Sequence, residues 1–309
     1  MHNLRVSSAS FSLPRPSGGA EVTAWCVDAE TSTAYGLTST HLLASDGSCA
    51  APLCGDVPGE SWAGARYLAE TGSICAYTAS GHIVSVAPAA GATRGTVAAA
   101  GTVDEGLLSM DWSPDEECAA CVLRTGGLLL MSSEFEVIAE AAPSDGSGGG
   151  GGQPRACASW RQDGASFAAG SCGEDVRIFD RHGGLQATAR RPGWRPLRAS
   201  TRPVGNLVAV LARDDSGEVR VLLFERNGEY SSEFGIGCAG SEQLDIGWSS
   251  DGDLLSVLSR SSEVRGPAAP GHVVPFCVPS RQPKPLTAGL RAGGQCGADL
   301  ASQELPLVP

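Results

Sequence analysis

The chain has 309 residues, including 41 glycines, 19 prolines and 11 cysteines, and its formal net charge is -12. The negative charge argues against a protein that binds nucleic acid over its whole surface. No apolar run approaches the roughly 18 residues of a membrane span, and no secretory apolar core follows Met1. The cysteines are odd in number and scattered along the chain. Together these features predict a soluble protein of a reducing compartment, the cytoplasm and also the nucleus.

The first 110 residues predict about two units built of short strands. Apolar segments alternate with turn residues, and Asp46-Gly47 and Ser80-Gly81 are typical of hairpin turns. The predicted strands cover residues 22–27, 34–37, 41–43, 74–77 and 82–86.

From residue 112 one pattern recurs four times. A short polar turn is followed by an apolar strand, a turn with Gly or Asp, and a second apolar strand. The copies begin at Trp112, Trp160, Thr201 and Trp248, at intervals of 48, 41 and 47 residues. A repeat near this length made only of strands is typical of a β-propeller, in which blades stack because one blade cannot bury both of its faces. The sequence predicts an all-β, WD40-like propeller of about six blades, incomplete because no closing strand is evident.

Two segments differ from the repeats in composition. Residues 143–153 are dominated by glycine and predict a flexible insert between two blades. Residues 262–309 hold eight of the 19 prolines and show little alternation, although Val273-Val274 is a candidate last strand. We therefore expect a propeller over residues 1–261 and a disordered, Pro/Gly-rich tail over residues 262–309.

Four aspartates recur beside the turns of the repeats. Turn carboxylates accept hydrogen bonds from nearby N–H groups, whereas paired catalytic acids would have to converge on one point. Because they are spread over three repeats, about one per blade, and should not converge on one point, we expect them to stabilise turns. They are Asp111, Asp115, Asp163 and Asp251.

Three further motifs resemble catalytic or metal-binding signatures but lack the required context. Cys118 and Cys121 form a single Cys-x-x-Cys, and residues three apart on a strand point to opposite faces. The glycines at 148–152 are not followed by the Lys-Ser/Thr of a phosphate-binding loop. Ser61 lacks the strand–turn–helix context of a nucleophile elbow. We expect no catalytic set, metal site or cofactor.

An arginine-rich segment is the most prominent polar feature. Residues 181–202 contain six arginines and no acid, so the rest of the chain carries -18. Arginines beside a tryptophan can contact RNA phosphates or an acidic partner. The alternative is a solvated connection between blades in which the tryptophan covers a blade edge. The candidate contact residues are Arg190, Arg191, Trp194, Arg195, Arg198 and Arg202.

Short motifs in a fixed order point to one family. Residues 176–180 read V-R-I-F-D, similar to the V-R-I-W-D of WD-type propellers. Further motifs lie at 1–5, 78–83, 109–117, 133–138, 160–167 and 224–228. In this order they resemble the N-terminal propeller of the Elongator complex protein 1 family, the large scaffold subunit of that complex. The resemblance fades after Arg260, and polyglycine stands where the family has a partly acidic loop.

The resemblance implies a non-catalytic scaffold that supports carbon-5 carboxymethyl-type modification of tRNA wobble uridines. The implied partners are the other Elongator subunits, including the catalytic one, and tRNA through the arginine-rich segment; neither a membrane nor a small-molecule substrate is implied. Two alternatives stay open. One is a generic WD-repeat interaction module of another complex. The other is a propeller that caps a serine hydrolase, which would need a separate α/β domain.

Overall fold

The computed structural model describes residues 21–46, 50–88, 95–143, 156–170, 173–236, 243–260 and 272–277. These ranges contain 23 β-strands and no helix, and hence no helix that could cross a membrane. They belong to one compact unit, Met1–Val278. The predicted glycine-rich insert from residue 144 onward, most of the predicted tail and the second unit, Pro279–Pro309, lie outside the described residues. The all-β prediction is confirmed.

The first two blades are each built of four strands. They are β1 (Ala24–Asp28), β2 (Thr33–Leu37), β3 (His41–Ala44) and β4 (Ala50–Gly55), then β5 (Trp62–Leu68), β6 (Ser73–Thr78), β7 (His82–Ala87) and β8 (Gly95–Thr102). Neighbours within a blade are antiparallel. The outermost strands, β4 and β8, pair in parallel, so the two blades share one eight-stranded sheet in the order β1-β2-β3-β4-β8-β7-β6-β5.

The parallel contact between β4 and β8 depends on a glycine. Gly55 has a φ of 105°, and a Cβ at this position would lie 2.2 Å from the carbonyl oxygen of Val97. The same oxygen accepts a hydrogen bond from the Asp56 N–H at 3.2 Å. Because only glycine adopts this φ at little cost and leaves room for the neighbouring backbone, residue 55 sets how closely the two blades approach.

Four further sheets follow the eight-stranded one in chain order, three of them as separate four-stranded blades and the last with three strands. The third blade has β9 (Leu107–Trp112), β10 (Cys118–Leu123), β11 (Leu128–Ser132) and β12 (Val137–Ala141); the fourth has β13 (Cys157–Trp160), β14 (Ser166–Gly170), β15 (Asp175–Asp180) and β16 (Leu185–Arg190); the fifth has β17 (Trp194–Thr201), β18 (Leu207–Asp214), β19 (Val219–Glu225) and β20 (Tyr230–Gly235); the sixth has β21 (Gln243–Trp248), β22 (Leu254–Arg260) and β23 (His272–Cys277). Counting the eight-stranded sheet as two blades, the described chain has six.

The last strand lies beyond the predicted end of the propeller. β23 pairs antiparallel with β22 along its whole length and contains the predicted Val273-Val274 strand. The sheet therefore extends past residue 261, where the sequence analysis ended the propeller. The alternation in this segment is too short to stand out among the prolines that surround it.

The blades are held together by apolar faces on both sides of each sheet. In β10, Cys118, Ala120 and Val122 pack toward the fourth blade, whereas Ala119 and Cys121 pack toward the second. All six residues of β10 are buried. This explains why its sequence is a continuous apolar run and not an alternating one.

Three of the four positions at which the predicted repeats begin form a hydrogen bond to the preceding blade. The Trp160 indole donates to the Asp111 carbonyl at 3.0 Å. The Thr201 hydroxyl donates to the Trp160 carbonyl at 2.6 Å, and the Trp248 indole donates to the Ser200 carbonyl at 3.0 Å. The repeat that the sequence revealed is therefore a series of links between consecutive blades.

The first strand of each blade contacts the first strand of the next, from β1 through β5, β9, β13 and β17 to β21. This series gives a nearly closed, propeller-like ring, as predicted. Ala24 and Cys26 face the second blade from β1, while Trp25 and Val27 point to the other side and are 63% and 37% exposed. An exposed apolar face on the first strand is what an incomplete ring leaves uncovered.

Candidate partner-binding surface

The arginine-rich segment runs from the outer edge of the fourth blade to the inner edge of the fifth. Arg190 ends β16 and Trp194 begins β17. Between them the Trp194 N–H donates to the Arg191 carbonyl at 3.1 Å, and Gly193 takes a φ of 80°. A tight turn of this kind brings Arg191 and Trp194 close together.

Two of the predicted contact arginines form exposed ion pairs. Arg190 lies 3.0 Å from Glu174, and Arg195 lies 3.1 Å from Asp215. The Arg190 guanidinium is the largest cause of the lowered pKa of Glu174. Exposed ion pairs contribute little stability, but the carboxylate in each pair neutralises the arginine charge that an RNA phosphate would otherwise bind.

Arg191 and Trp194 belong to a layered cluster on the fifth blade. The Arg191 guanidinium lies 4.9 Å from the Tyr230 ring centroid, and that of Arg220 lies 5.6 Å from the Trp194 ring. Both arginines also contact Glu233, at 3.5 Å and 2.7 Å. Trp194 is half-buried against the core of the fourth and fifth blades. This matches the interpretation in which the tryptophan covers a blade edge.

Arg198 and Arg202 lie apart from the turn. Arg198 is exposed on β17, with Asp245 of the sixth blade 4.0 Å away. Arg202 is buried; it donates to the Gly252 carbonyl at 2.7 Å and lies 5.4 Å from the Trp248 ring. The Arg202 side chain joins the fifth and sixth blades, a long-range contact that the local sequence does not reveal, and its predicted contact with a partner stays a prediction.

Three of the four predicted turn aspartates accept hydrogen bonds within their turns. Asp115 accepts from Ser113 at 2.6 Å, Asp163 from the Ala165 N–H at 3.1 Å, and Asp251 from the Asp253 N–H at 3.1 Å. Asp111 differs, because it lies on β9 and accepts the Trp160 N–H of the next blade at 2.9 Å. The turn role predicted for Asp111 is wrong, since its carboxylate acts between blades.

Arg181 joins the third and fourth blades. Its Nη2 lies 2.6 Å from both Asp115 and Glu117, and its Nη1 donates to the Gly164 carbonyl at 3.3 Å. The Asp115 carboxylate is the largest cause of the raised pKa of Arg181. The most acidic of the predicted turns therefore binds the first arginine of the basic segment.

The two cysteines of the Cys-x-x-Cys motif point to opposite faces, as predicted. Cys118 packs in the core shared by the third and fourth blades, whereas Cys121 packs in the core shared with the second. Burial raises the pKa of both thiols. Protonated, divergent thiols are suited to packing and not to metal binding or redox exchange.

The other nucleophile candidates lack catalytic geometry. Ser61 is an exposed residue between strands. Ser80 donates to the Glu60 carboxylate, and His82 Nδ1 lies 2.9 Å from Ser80 Oγ and 3.2 Å from the same Glu60 oxygen. Since both groups meet one ring nitrogen, the histidine cannot relay a proton between them. Within the described ranges no group of three or more His, Cys, Asp or Glu residues could hold a metal ion.

Charge is distributed unevenly between the two halves of the propeller. Residues 21–143, which form the first three blades, contain 16 acidic and three basic side chains, whereas residues 156–260 contain 14 acidic and 12 basic ones. The first half is therefore strongly negative and the second nearly neutral. Such a field steers association with basic protein surfaces and opposes close approach of a polyanion to the first three blades.

Sequence reasoning missed several residues of this surface. Arg220, Tyr230 and Glu233 complete the layered cluster around Trp194 but lie 26 to 39 positions further along the chain. Arg161 and Arg226 lie on neighbouring blades and line one crevice. A signal for these two existed, because each belongs to a motif that carries the family resemblance, at 160–167 and 224–228.

Comparisons with known proteins agree with this architecture. The family model "ELP1 first N-terminal beta-propeller" matches residues 26–147 and 153–265. Elongator complex protein 1 of Drosophila melanogaster is 28% identical over 246 residues, covering 65% of this chain and 19% of the relative; that of Mus musculus is 26% identical over 237 residues, covering 63% and 17%. The chain thus spans about a fifth of the length of the curated relatives it matches. The Myceliophteria thermophila Cps50 (Swd1) β-propeller domain superposes with a TM-score of 0.61 at 10% identity, over 83% of this chain and 84% of that one, which supports the fold alone.

Proposed function

The chain belongs to the family of first N-terminal β-propellers of Elongator complex protein 1, and on that premise we propose that it is a non-catalytic scaffold of an Elongator-type complex. The observation that carries the proposal is the family match to both 26–147 and 153–265, which covers all six blades except β23 and the first two residues of β1. The relatives are named as subunits of the Elongator complex. The proposed role is to bind other Elongator subunits, including the catalytic one, and so to support tRNA wobble-uridine modification in the cytoplasm.

Of the two partner classes considered for the arginine-rich segment, an acidic protein surface is better supported than tRNA. Arg190, Arg191 and Arg195 each face a carboxylate of this chain. A tRNA contact would need several arginines free to replace the counterions of adjacent phosphates. An acidic side chain needs only one or two donors and can exchange with the carboxylates already present.

The test is co-purification of the tagged full chain with the other Elongator subunits from cells that express them. We expect the subunits in amounts close to equimolar with the chain. Recovery of a folded chain without them would overturn the proposal, and recovery with a different assembly would favour the generic WD-repeat module. Labelling of Ser61 by a serine-reactive probe would revive the hydrolase-cap alternative.

A further inference from the structure

The outer edge of the third blade combines an unpaired strand edge with exposed aliphatic side chains. Its sheet runs in the order β12-β11-β10-β9, so β12 pairs on one side only among the described strands. The first two residues of β12, Val137 and Ile138, are 51% and 50% exposed. Single exposed apolar residues are ordinary, whereas two neighbours on the free edge of a sheet form a surface that another chain can cover.

A β-bulge places Ile138 at this edge. The pairing of β12 with β11 skips Ile138, which lies between the paired residues Val137 and Ala139. The outer strands of the fourth and fifth blades have the same irregularity, and the residues skipped there are Gln186 and Ser231. The propeller therefore accepts a polar residue at this position, and the architecture of a blade does not require the aliphatic side chain of Ile138.

Acidic side chains flank the same edge. Those of Glu134, Glu136 and Glu140 are exposed, and within the described part of the chain none of them forms an ion pair. Residues 125–143 contain no Lys, Arg or His. These carboxylates repel the identical edge of a second copy of the chain, and they attract a segment that carries positive charge. Charge complementarity therefore favours a basic partner.

The bulge brings an aliphatic side chain and a carboxylate to one face of β12. Val137 pairs with Met131 of β11. Glu140 pairs with Leu129, and both of these partners pack toward the second blade. Residues that pair across two strands share a face, so Val137 and Glu140 both lie on the face of the sheet toward the second blade. An extended segment along this edge meets an apolar contact and a charged contact on the same side.

The first two blades show that an outer strand of this propeller accepts a further strand. β4 and β8 are the outermost strands of their blades, and they pair with each other in parallel. β12 has no such partner among the described strands. A segment added to its edge would pair with the backbone N–H and C=O groups that face away from β11.

We propose that the outer edge of β12 is a docking site for an extended segment of a protein partner that carries aliphatic and basic side chains. Aliphatic side chains of the segment pack on Val137 and Ile138, and a lysine or arginine pairs with Glu140. The proposal deepens the scaffold function and rests on it for the identity of the partner. It gives a role to the exposed Ile138, which the repeat itself does not explain.

The test is fluorescence anisotropy of a fluorescein-labelled ten-residue peptide with the purified full chain. The peptide repeats Val-Val-Lys-Lys, so that valine and lysine alternate along each of its faces when it is extended. We expect Val137→Gln and Ile138→Gln each to weaken binding by about threefold or more, because each removes an apolar contact. Val204→Gln, at a 62% exposed valine between β17 and β18, is the matched control and should change affinity by less than about twofold.

The charge requirement is tested at Glu140. We expect Glu140→Lys to weaken binding by about fivefold or more, because repulsion replaces attraction. Glu30→Lys makes the same change at an exposed residue of the first blade and should alter affinity by less than about twofold, since salt screens distant charges. Amide hydrogen exchange in β12 should slow when the peptide binds, whereas exchange in β20, another outer strand, should not. Thermal melts of each variant establish that the fold is retained.

Three results would overturn the proposal: absence of peptide binding, equal weakening by Val137→Gln and Val204→Gln, or equal binding of a peptide that repeats Val-Val-Glu-Glu. Self-association that is lost in Val137→Gln, without peptide binding, would assign the edge to a second copy and also overturn it. The outcome is separable from that of the scaffold proposal. Peptide binding that depends on Val137, in a chain that does not co-purify with Elongator subunits, would retain the site and reject the proposed complex. Co-purification that is unchanged by Val137→Gln, without peptide binding, would do the reverse.

Discussion

At the scale of single residues, the tryptophans of the repeats act between blades. The Trp160 indole donates to a carbonyl of the third blade, whereas the Trp112 indole N–H is buried without an aligned acceptor. Both side chains are buried. Comparing the same substitution at Trp160 and at Trp112 therefore separates the contribution of the hydrogen bond to stability from that of side-chain packing.

We expect Trp160→Phe to lower the free energy of unfolding by about 1 kcal/mol more than Trp112→Phe. The first change removes an N–H that donates to a backbone carbonyl, while the second removes an N–H that approaches only the Cys75 sulfur, a weak acceptor, and both remove a similar volume. Urea unfolding followed by fluorescence measures the difference. Equal losses in the two variants would show that the bond between blades contributes nothing net.

Acid sensitivity is also set by single residues. The pKa of each of three turn aspartates is lowered, mainly by a hydroxyl that donates to the carboxylate: Asp28 by Thr31, Asp214 by Ser216 and Asp251 by Ser249. A carboxyl whose pKa is lower in the folded state contributes stability above its unfolded pKa of about 3.9 and loses that stability as pH falls through the folded value.

We therefore expect the melting temperature to be nearly constant from about pH 7 to 5 and to fall below about pH 4. Asp251→Asn should melt lower at neutral pH and show a smaller fall at acid pH. Asp104→Asn, which changes an exposed turn residue, serves as the control and should keep the full fall. The measurement is the melting temperature of the unmodified chain and of both variants at a series of pH values. If the melting temperature of Asp251→Asn falls at acid pH as much as that of the unmodified chain, Asp251 does not contribute to the acid sensitivity.

At the scale of strands, β4 and β8 approach each other closely at Gly55. We expect Gly55→Ala to destabilise the chain by about 1–3 kcal/mol. The alanine backbone would be strained at the observed φ, and its Cβ would clash with the Val97 carbonyl oxygen. Gly59→Ala is the matched control, since nothing lies within 4 Å of a Cβ there, and should change stability by less than about 0.5 kcal/mol.

Amide hydrogen exchange gives the local readout of the same change. Protection in β4 and β8 should fall in Gly55→Ala while protection in β18 and β19 is retained. A uniform loss over both regions, or no loss in either, would mean that the parallel contact does not join the first two blades.

The strands themselves were predictable from sequence where the pattern is strong. The Trp112, Trp160 and Trp248 starts and the apolar runs of β10 and β18 appear where expected, because burial on both faces gives a continuous apolar run that few other structures require. The β4–β8 contact was not predicted, since it pairs backbone segments that lie 42 residues apart in the chain. The partners of the arginines were missed for the same reason, as ion pairs between residues distant in the chain leave no local pattern.

At the scale of the whole molecule, the ring of described strands leaves an apolar surface exposed on β1. Trp25 and Val27 face away from the second blade and are exposed. We expect Trp25→Gln to reduce concentration-dependent self-association measured by light scattering, because it removes the largest exposed apolar side chain among the described residues. Leu185→Gln, at an exposed position of β16, should have a smaller effect. A chain that is monomeric at all concentrations before mutation would contradict this expectation.

The central claim is that this propeller holds other Elongator subunits on its surface. The chain has 34 acidic residues and a single lysine, Lys284. A reagent that couples carboxylates to amines can therefore form few cross-links within the chain and reports mainly on its contacts with other subunits. Applied to the complex reconstituted with the full chain, such coupling followed by mass spectrometry should join acidic residues of the first three blades to lysines of the other subunits. If the complex is assembled but cross-links are found only within this chain, the proposal that the propeller binds other Elongator subunits is contradicted.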